Sequence, residues 1–377
     1  MSEHGGLYVH LPFCPYICPY CDFAKWPARA SAAATYLRAL DAEIGTAPEF
    51  EAKTVFLGGG TPNTYPSETI GLLVERLRAR FATPEGAEIT IELNPDLALC
   101  EGFAAYRRAQ ITRLSIGVQS FVASELKTLG RGHSPDDVGV VIRRARGAGF
   151  ENISLDLIFA APGQTIESWG RTLDAALALD LPHISTYGLT IEAGTPYAAW
   201  QAREPAAFSA QELEADLYAL AIDRLTSAGY EQYEISNFAR PGFRSAHNAN
   251  YWANGAYVGL GVGAASYLGG VRATHTRDLS AYCAAALDGT AIPGESEQLA
   301  GLARAGEAAM LALRTAEGVE LAPFAERYGI DFVSYYASPI GEMSEAGMLE
   351  TSPTHVRLTR RGRFLANSVC AAFLSPT

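Results

Sequence analysis

Tyr8-Val9-His10-Leu11-Pro12-Phe13-Cys14-Pro15-Tyr16-Ile17-Cys18-Pro19-Tyr20-Cys21-Asp22-Phe23 joins an apolar extended segment to three cysteines with C-x3-C-x2-C spacing. The β-rich run through Leu11 predicts a strand, and the helical pattern that begins at Ser31 leaves the cysteines on the loop between. Three thiolates so spaced can ligate three irons of a [4Fe–4S] cube, which leaves the fourth iron open to a small chelating molecule. A structural zinc site normally closes with four ligands, and a disulfide is rare in a reducing compartment. Cys14, Cys18 and Cys21 are therefore assigned to an open cluster, with zinc the better of the other two readings.

Apolar, β-branched runs recur at residues 7–11, 54–57, 89–93, 114–118, 153–159 and 183–189. Helical patterns at 31–45, 67–80, 135–147 and 166–179 alternate with them, as expected of βα units around a parallel sheet. A closed barrel takes about eight such units, so six predict an α/β fold built on an open, partial (β/α)6 TIM-like barrel. The strand ends carry the special residues: the cysteine loop, Gly58-Gly59-Gly60-Thr61-Pro62, Glu92-Leu93-Asn94-Pro95 and Gln119, with Asp156 and Tyr187 within the fifth and sixth strands. Sites on such sheets gather at the carboxyl ends of strands. A helix at 211–228 and a short strand at 233–238 follow. Residues 236–300 form a Gly-rich, mixed linker region, and residues 301–377 show helices, a hairpin at 348–358 and a last helix from Arg360, the order of a winged helix. The division expected is thus 1–235, 236–300 and 301–377.

The chain has 377 residues, 48% of them hydrophobic, with a net charge of −12 and a pI near 5.1. Its mean field repels nucleic-acid phosphates, so no nucleic-acid partner is expected; the cluster Arg357, Arg360, Arg361 and Arg363 is the one feature of a DNA-binding alternative. The first cysteine leaves no room for a cleaved signal peptide, and no apolar run is long enough to span a bilayer, which predicts a cytoplasmic protein. Cys100, Cys283 and Cys370 lack ligand spacing and read as small buried hydrophobes.

The segments from Tyr8 to Phe23, GGGTP at 58–62, ELNP at 92–95, SIGVQS at 115–120, LGRGHS at 129–134 and LDLI at 155–158 resemble, in order and spacing, the radical S-adenosylmethionine (SAM) superfamily, in the branch containing oxygen-independent coproporphyrinogen III oxidase. The resemblance implies the same partial barrel and a SAM that chelates the open iron and is cleaved to a 5′-deoxyadenosyl radical. It implies SAM contacts from Gly59, Gly60 and Thr61, from Glu92 to the ammonium, from Arg131 to the carboxylate through its planar fork, and from Gln119 and Asp156 to the ribose. Tyr8 and Tyr20 match the aromatic positions beside cluster and SAM.

Within that branch the oxidases usually read C-x3-C-x2-C-x-C, whereas this chain has Phe23 at the last position. Phe23, and His247-Asn248-Ala249-Asn250-Tyr251-Trp252 as H-N-x-x-Y-W, resemble the HemW-type heme chaperones. That resemblance implies binding of cluster, SAM and heme, and transfer of heme to apo-hemoproteins of the respiratory chain, at the inner face of the membrane; a homodimer is compatible with it. An imidazole can serve as an axial heme ligand, so His247 is the ligand expected, with Tyr251 and Trp252 as flat apolar surface. The other reading has the motif capping a turn, with its aromatics in the core. Ala160 and Ala161 replace the usual Gly-Leu before Pro162-Gly163 and are expected to tilt that loop, and Ala265 stands where relatives commonly carry a second histidine. His133 and His183 resemble barrel positions; His4, His10, His275 and His355 read as structural or solvent-facing. The rival activity is that of the oxidase itself, against which Phe23 counts.

Overall fold

In the computed structural model, which describes residues 4–98 and 102–374, strand β1 (His4–Leu11) buries Leu7, Val9 and Leu11 on one face and turns Gly6, Tyr8 and His10 to the other. This period of two repeats in β2 (Glu51–Gly59), β3 (Glu88–Leu93), β4 (Arg113–Gln119), β5 (Asn152–Phe159) and β6 (His183–Gly188). Their outer faces carry Leu57, Ile91, Ile116, Leu155 and Ile184, all fully buried. The six strands pair in sequence order, each parallel to the last. Helices α1 (Ala30–Thr46), α2 (Ser67–Arg80), α3 (Pro135–Gly147) and α4 (Ile166–Ala178) close the outer face with Leu40, Val74, Val141 and Trp169 in one continuous core. The inner face is polar instead, with Thr54, Thr90, Glu92, Arg113, Ser115 and Asp156 at successive inward positions.

The sheet continues at both edges. Past α5 (Gln211–Ser227) come β7 (Glu231–Gln232) and β8 (Asn237–Ala239); β8 adds antiparallel to β6 and β7 antiparallel to β8. The single strand expected at 233–238 is thus two shorter ones: the Glu234 carboxylate accepts from Ser236 N at 3.0 Å and from the Asn237 amide, which turns the chain, and Glu234 bridges to Thr315. Helix α6 (Ala246–Trp252) leads into β9 (Ala256–Leu260), which lies parallel on the free side of β1. A meander of β10 (Ala265–Leu268), β11 (Val271–His275) and β12 (Gly294–Gln298) completes the order β12-β11-β10-β9-β1-β2-β3-β4-β5-β6-β8-β7. The sheet has two ends, so the barrel is open, as its six units predict.

The C-terminal unit has its own core. Helix α7 (Gly301–Leu313), β13 (Val319–Glu320), α8 (Leu321–Tyr328), two short helices, β14 (Leu349–Thr351), β15 (His355–Leu358) and α9 (Arg360–Phe364) follow in the winged-helix order, around Phe332, Tyr336 and Phe373. Ile235 packs against both cores. Arg357 pairs with Glu350 at 2.5 Å and Arg360 with Asp223 at 2.7 Å, while Arg363 donates to Gln232 at 2.7 Å. Cys370 is buried and Cys283 half-buried; Cys100 lies outside the described residues. Among the described residues no helix is long and apolar enough to cross a membrane.

Candidate functional site

The cysteine loop is fixed by what flanks it. Phe13–Cys14 runs parallel to Trp26–Pro27, with Trp26 N donating to Pro12 O at 2.9 Å and Ala28 N to Cys14 O at 2.8 Å. Beneath it His10, 3% exposed, holds the Ala24 carbonyl at 2.7 Å through Nε2, while Nδ1 accepts from the Tyr8 hydroxyl at 3.0 Å. The carbonyl requires an N–H at Nε2, which sets the tautomer, and burial lowers the histidine's pKa, keeping it neutral. This ring explains the glycines. Gly59 has φ +101°, and a Cβ there would overlap the imidazole; a Cβ on Gly60 would lie 2.5 Å from the Leu11 carbonyl oxygen. Gly60 N and Thr61 N donate to Leu11 O and Phe13 O at 2.9 and 3.0 Å, so the glycine turn is stitched to the start of the cysteine loop.

All three thiols are free. The Thr61 side chain hydrogen-bonds Cys14, whose thiol burial pushes up to about 11, and burial raises Cys21 as well. Arg131 Nη1 lies 3.6 Å from Cys18 Sγ, and its Nη2 donates to Gly117 O at 2.7 Å and to Asn94 Oδ1. Its Nε is buried without an acceptor among the described residues. Tyr20 packs against Tyr197 with ring centroids 6.0 Å apart. Among the described residues no three His, Cys, Asp or Glu side chains converge closely enough to hold a single metal ion.

The polar wall stands beside this loop. A Cβ on Gly58 would meet the Glu92 carboxyl at 2.8 Å, and Glu92 Oε2 accepts from Gly59 N at 3.0 Å. Burial chiefly, with the Asp156 charge adding, raises the Glu92 carboxyl to about 7 against the opposing Gly59 N–H. Asp156, also raised by burial, accepts from Ser115 at 2.8 Å and from Ser154 at 3.4 Å. Gln119 has φ +68° at a register shift in β4, the kind of bulge that re-aims a side chain. Tyr8, Tyr20, Gly59, Gly60, Thr61, Glu92, Gln119, Arg131 and Asp156 thus belong to the inner face and carboxyl ends of the strands that carry the cysteines. Asn63 escapes the sequence reading, and with it the role of Asn94: the Asn63 side chain donates to Asn94 O and accepts from Asn94 N, both at 3.0 Å, holding the second and third strand ends together. Their signal lies in the motifs themselves, GGGTPN and ELNP.

His247 is elsewhere. It begins α6, which closes the barrel at the amino ends of the strands, where the Glu88 carboxylate accepts from Ala246 N and His247 N at 3.1 and 3.0 Å. The imidazole is 1% exposed, stacks on Phe56 at 5.1 Å, and engages Thr54 Oγ1 at 2.8 Å through Nδ1 and Tyr251 OH at 3.0 Å through Nε2. Burial takes its pKa down to about 3. A Cβ on Gly6 would approach this ring to 3.1 Å. The expected axial ligand therefore has both ring nitrogens engaged by Thr54 and Tyr251 in this structure, at the opposite end of the strands from the cysteines.

The Radical SAM superfamily matches residues 8–176, and the HemN C-terminal domain matches residues 299–365. Coproporphyrinogen III oxidase (HemN) from Escherichia coli superposes over 99% of this chain and 91% of its own, with a TM-score of 0.85 and 25% identity. The heme chaperone HemW of Bacillus subtilis is 36% identical over 97% of this chain and 98% of its own length, and that of Escherichia coli 38% identical over 69% of each. Fold, cysteine loop and glycine turn are those of a radical SAM protein, and the chain belongs to the HemW heme chaperone family.

Proposed function

We propose that the chain binds a [4Fe–4S] cluster through Cys14, Cys18 and Cys21, SAM beside it, and heme, and that it hands heme to apo-hemoproteins of the respiratory chain at the inner face of the membrane. The observation that carries the first part is the juxtaposition of three free thiols with the Gly58–Thr61 turn, Glu92 and Arg131 at one end of the sheet. The donor set suits the cluster. Three thiolates leave a ligand missing for closed zinc, and the buried Arg131 Nε has no acceptor among the described residues. Bound there, cluster and SAM would supply one-electron reductive chemistry. The chain's own part is to orient them: Glu92 would hold an ammonium, Arg131 a carboxylate, and Gln119 and Asp156 the ribose hydroxyls.

Heme handling rests on the relatives' names and on the H-N-x-x-Y-W helix. A second reading, the oxidase, is favoured by the structural likeness to HemN and disfavoured by Phe23, which is 66% exposed beside the thiols where the oxidases usually carry a further cysteine. Anaerobic reconstitution followed by heme titration and transfer to an apo-hemoprotein tests the proposal. Saturable binding near one heme per chain with transfer supports it; protoporphyrinogen formed from coproporphyrinogen III, with SAM and reductant, would replace it with the oxidase. Cys→Ala at any of the three thiols should abolish the cluster absorbance, and unchanged iron content would refute the cluster assignment.

A further inference from the structure

The thiol of Cys21 is reached by a backbone donor, since the Phe23 amide hydrogen-bonds its sulfur. That N–H belongs to the same planar trans peptide group as the Asp22 carbonyl, and the two point in opposite directions. Whatever grips the carbonyl therefore aims the N–H. Arg277 grips it: Nη2 donates to Asp22 O, while Nη1 and Nη2 both lie 3.4 Å from the Asp22 carboxylate. The neighbouring carbonyls are held likewise, Cys21 O and Phe23 O by Lys25 Nζ, the latter at 3.3 Å, and Ala24 O by His10 Nε2 at 2.7 Å. Four consecutive carbonyls thus face side-chain donors, and among the described residues the N–H groups of Asp22, Phe23 and Ala24 donate to no carbonyl.

Arg277 lies 255 residues further along the chain than Asp22, and its own backbone is fixed. It follows β11 between Thr276, whose N donates to Pro293 O at 2.7 Å and whose O accepts from Gly263 N at 2.9 Å, and Asp278, whose carboxylate caps the helix Leu279–Asp288. Gly263 lets the two segments meet. At φ +69°, a Cβ there would lie 2.9 Å from Ala24 Cβ and 3.6 Å from Arg277 Cγ. The Arg277 side chain is 58% exposed, and a surface ion pair of that kind contributes little to stability; its leverage is on one peptide group. We propose that Arg277 is a positioning residue for the cluster: through the Asp22–Phe23 peptide group it aims an N–H at the Cys21 sulfur and so raises the cluster's reduction potential. The inference rests on the cluster assignment proposed above. Hydrogen bonds to the sulfurs are among the features that set such potentials, because they stabilise the added negative charge of the reduced form. Lys25 and His10 keep the flanking peptide groups in register.

The test reconstitutes the full chain and Arg277→Gln anaerobically, counts their iron, and follows reduction by electron paramagnetic resonance in a redox titration without SAM. Arg277→Gln should take up as much iron as the wild type. At the wild-type midpoint its reduced-to-oxidised ratio should be at least fivefold lower, a shift of ~40 mV for a one-electron couple at about 59 mV per decade. The shift should persist from about 0.1 to 1 M KCl, as the Debye length falls from about 10 to 3 Å. A shift that vanishes at high salt would reduce Arg277 to a bare charge and overturn the proposal, as would an unchanged midpoint, or a variant folded by circular dichroism that takes up no iron. In each of those cases the wild type still carries its cluster; a wild type without one would instead remove the cluster assignment, and this inference with it.

Discussion

Glu92 shows how one residue's surroundings set its chemistry. Its carboxyl, raised by burial to about 7, keeps a proton in the folded chain that the unfolded chain releases near 4.5. Between those values stability therefore falls as pH rises, since the folded state binds the extra proton. A cationic ligand reverses the cost. SAM affinity, measured by equilibrium dialysis, should strengthen as pH rises from 6 towards about 7.5, and Glu92→Gln should flatten that profile and weaken binding about tenfold, roughly 1.4 kcal/mol; an unchanged profile would remove Glu92 from the ammonium site. Ala160 makes the complementary case in backbone terms. It adopts φ +62°, a glycine-like conformation in which a Cβ costs about 1–2 kcal/mol. Ala160→Gly should raise stability by about 0.5–1 kcal/mol in urea unfolding, the strain relief being partly offset by glycine's greater freedom in the unfolded chain.

Among elements, α6 is where sequence and structure part. The six strands, the helices between them and the polar carboxyl ends were legible because outward apolar positions alternate with period two and the motifs sit on turns. The barrel floor was not: Thr54, Glu88 and His183 lie inside or beside runs that read simply as strands, and only folding brings Thr54 and Glu88 to α6. His247 looked like a ligand because a histidine beside two aromatics has the right chemistry for one, while its satisfied nitrogens are a tertiary fact. Its neutrality has a consequence with a definite sign. A histidine lowered to about 3 stays neutral when folded but gains a proton when unfolded, so stability is lost as pH falls below about 6.5. His247→Ala should lower Tm at pH 7.5 by removing about 2–4 kcal/mol of packing and hydrogen bonding, and should lessen the loss of stability between pH 6.5 and 4; a variant that melts unchanged would contradict the structural role.

At the scale of the whole molecule, the basic C-terminal run is partly engaged from within, since Arg357 pairs with Glu350 and Arg360 and Arg363 reach Asp223 and Gln232 across the two cores. With the net charge of −12, fluorescence anisotropy with duplex DNA at about 0.15 M salt should show no binding tighter than the non-specific range of roughly 10⁻⁴–10⁻⁶ M. A sequence-dependent complex at nanomolar protein would reverse that. The division of labour along α6 also constrains energetics. One face of this helix is seated on the amino ends of the strands that present the thiols, and the other meets the C-terminal unit through Trp252 and Arg314. Whatever factor by which bound SAM would change the affinity for heme, bound heme must change the affinity for SAM by the same factor, because the two events share one thermodynamic cycle.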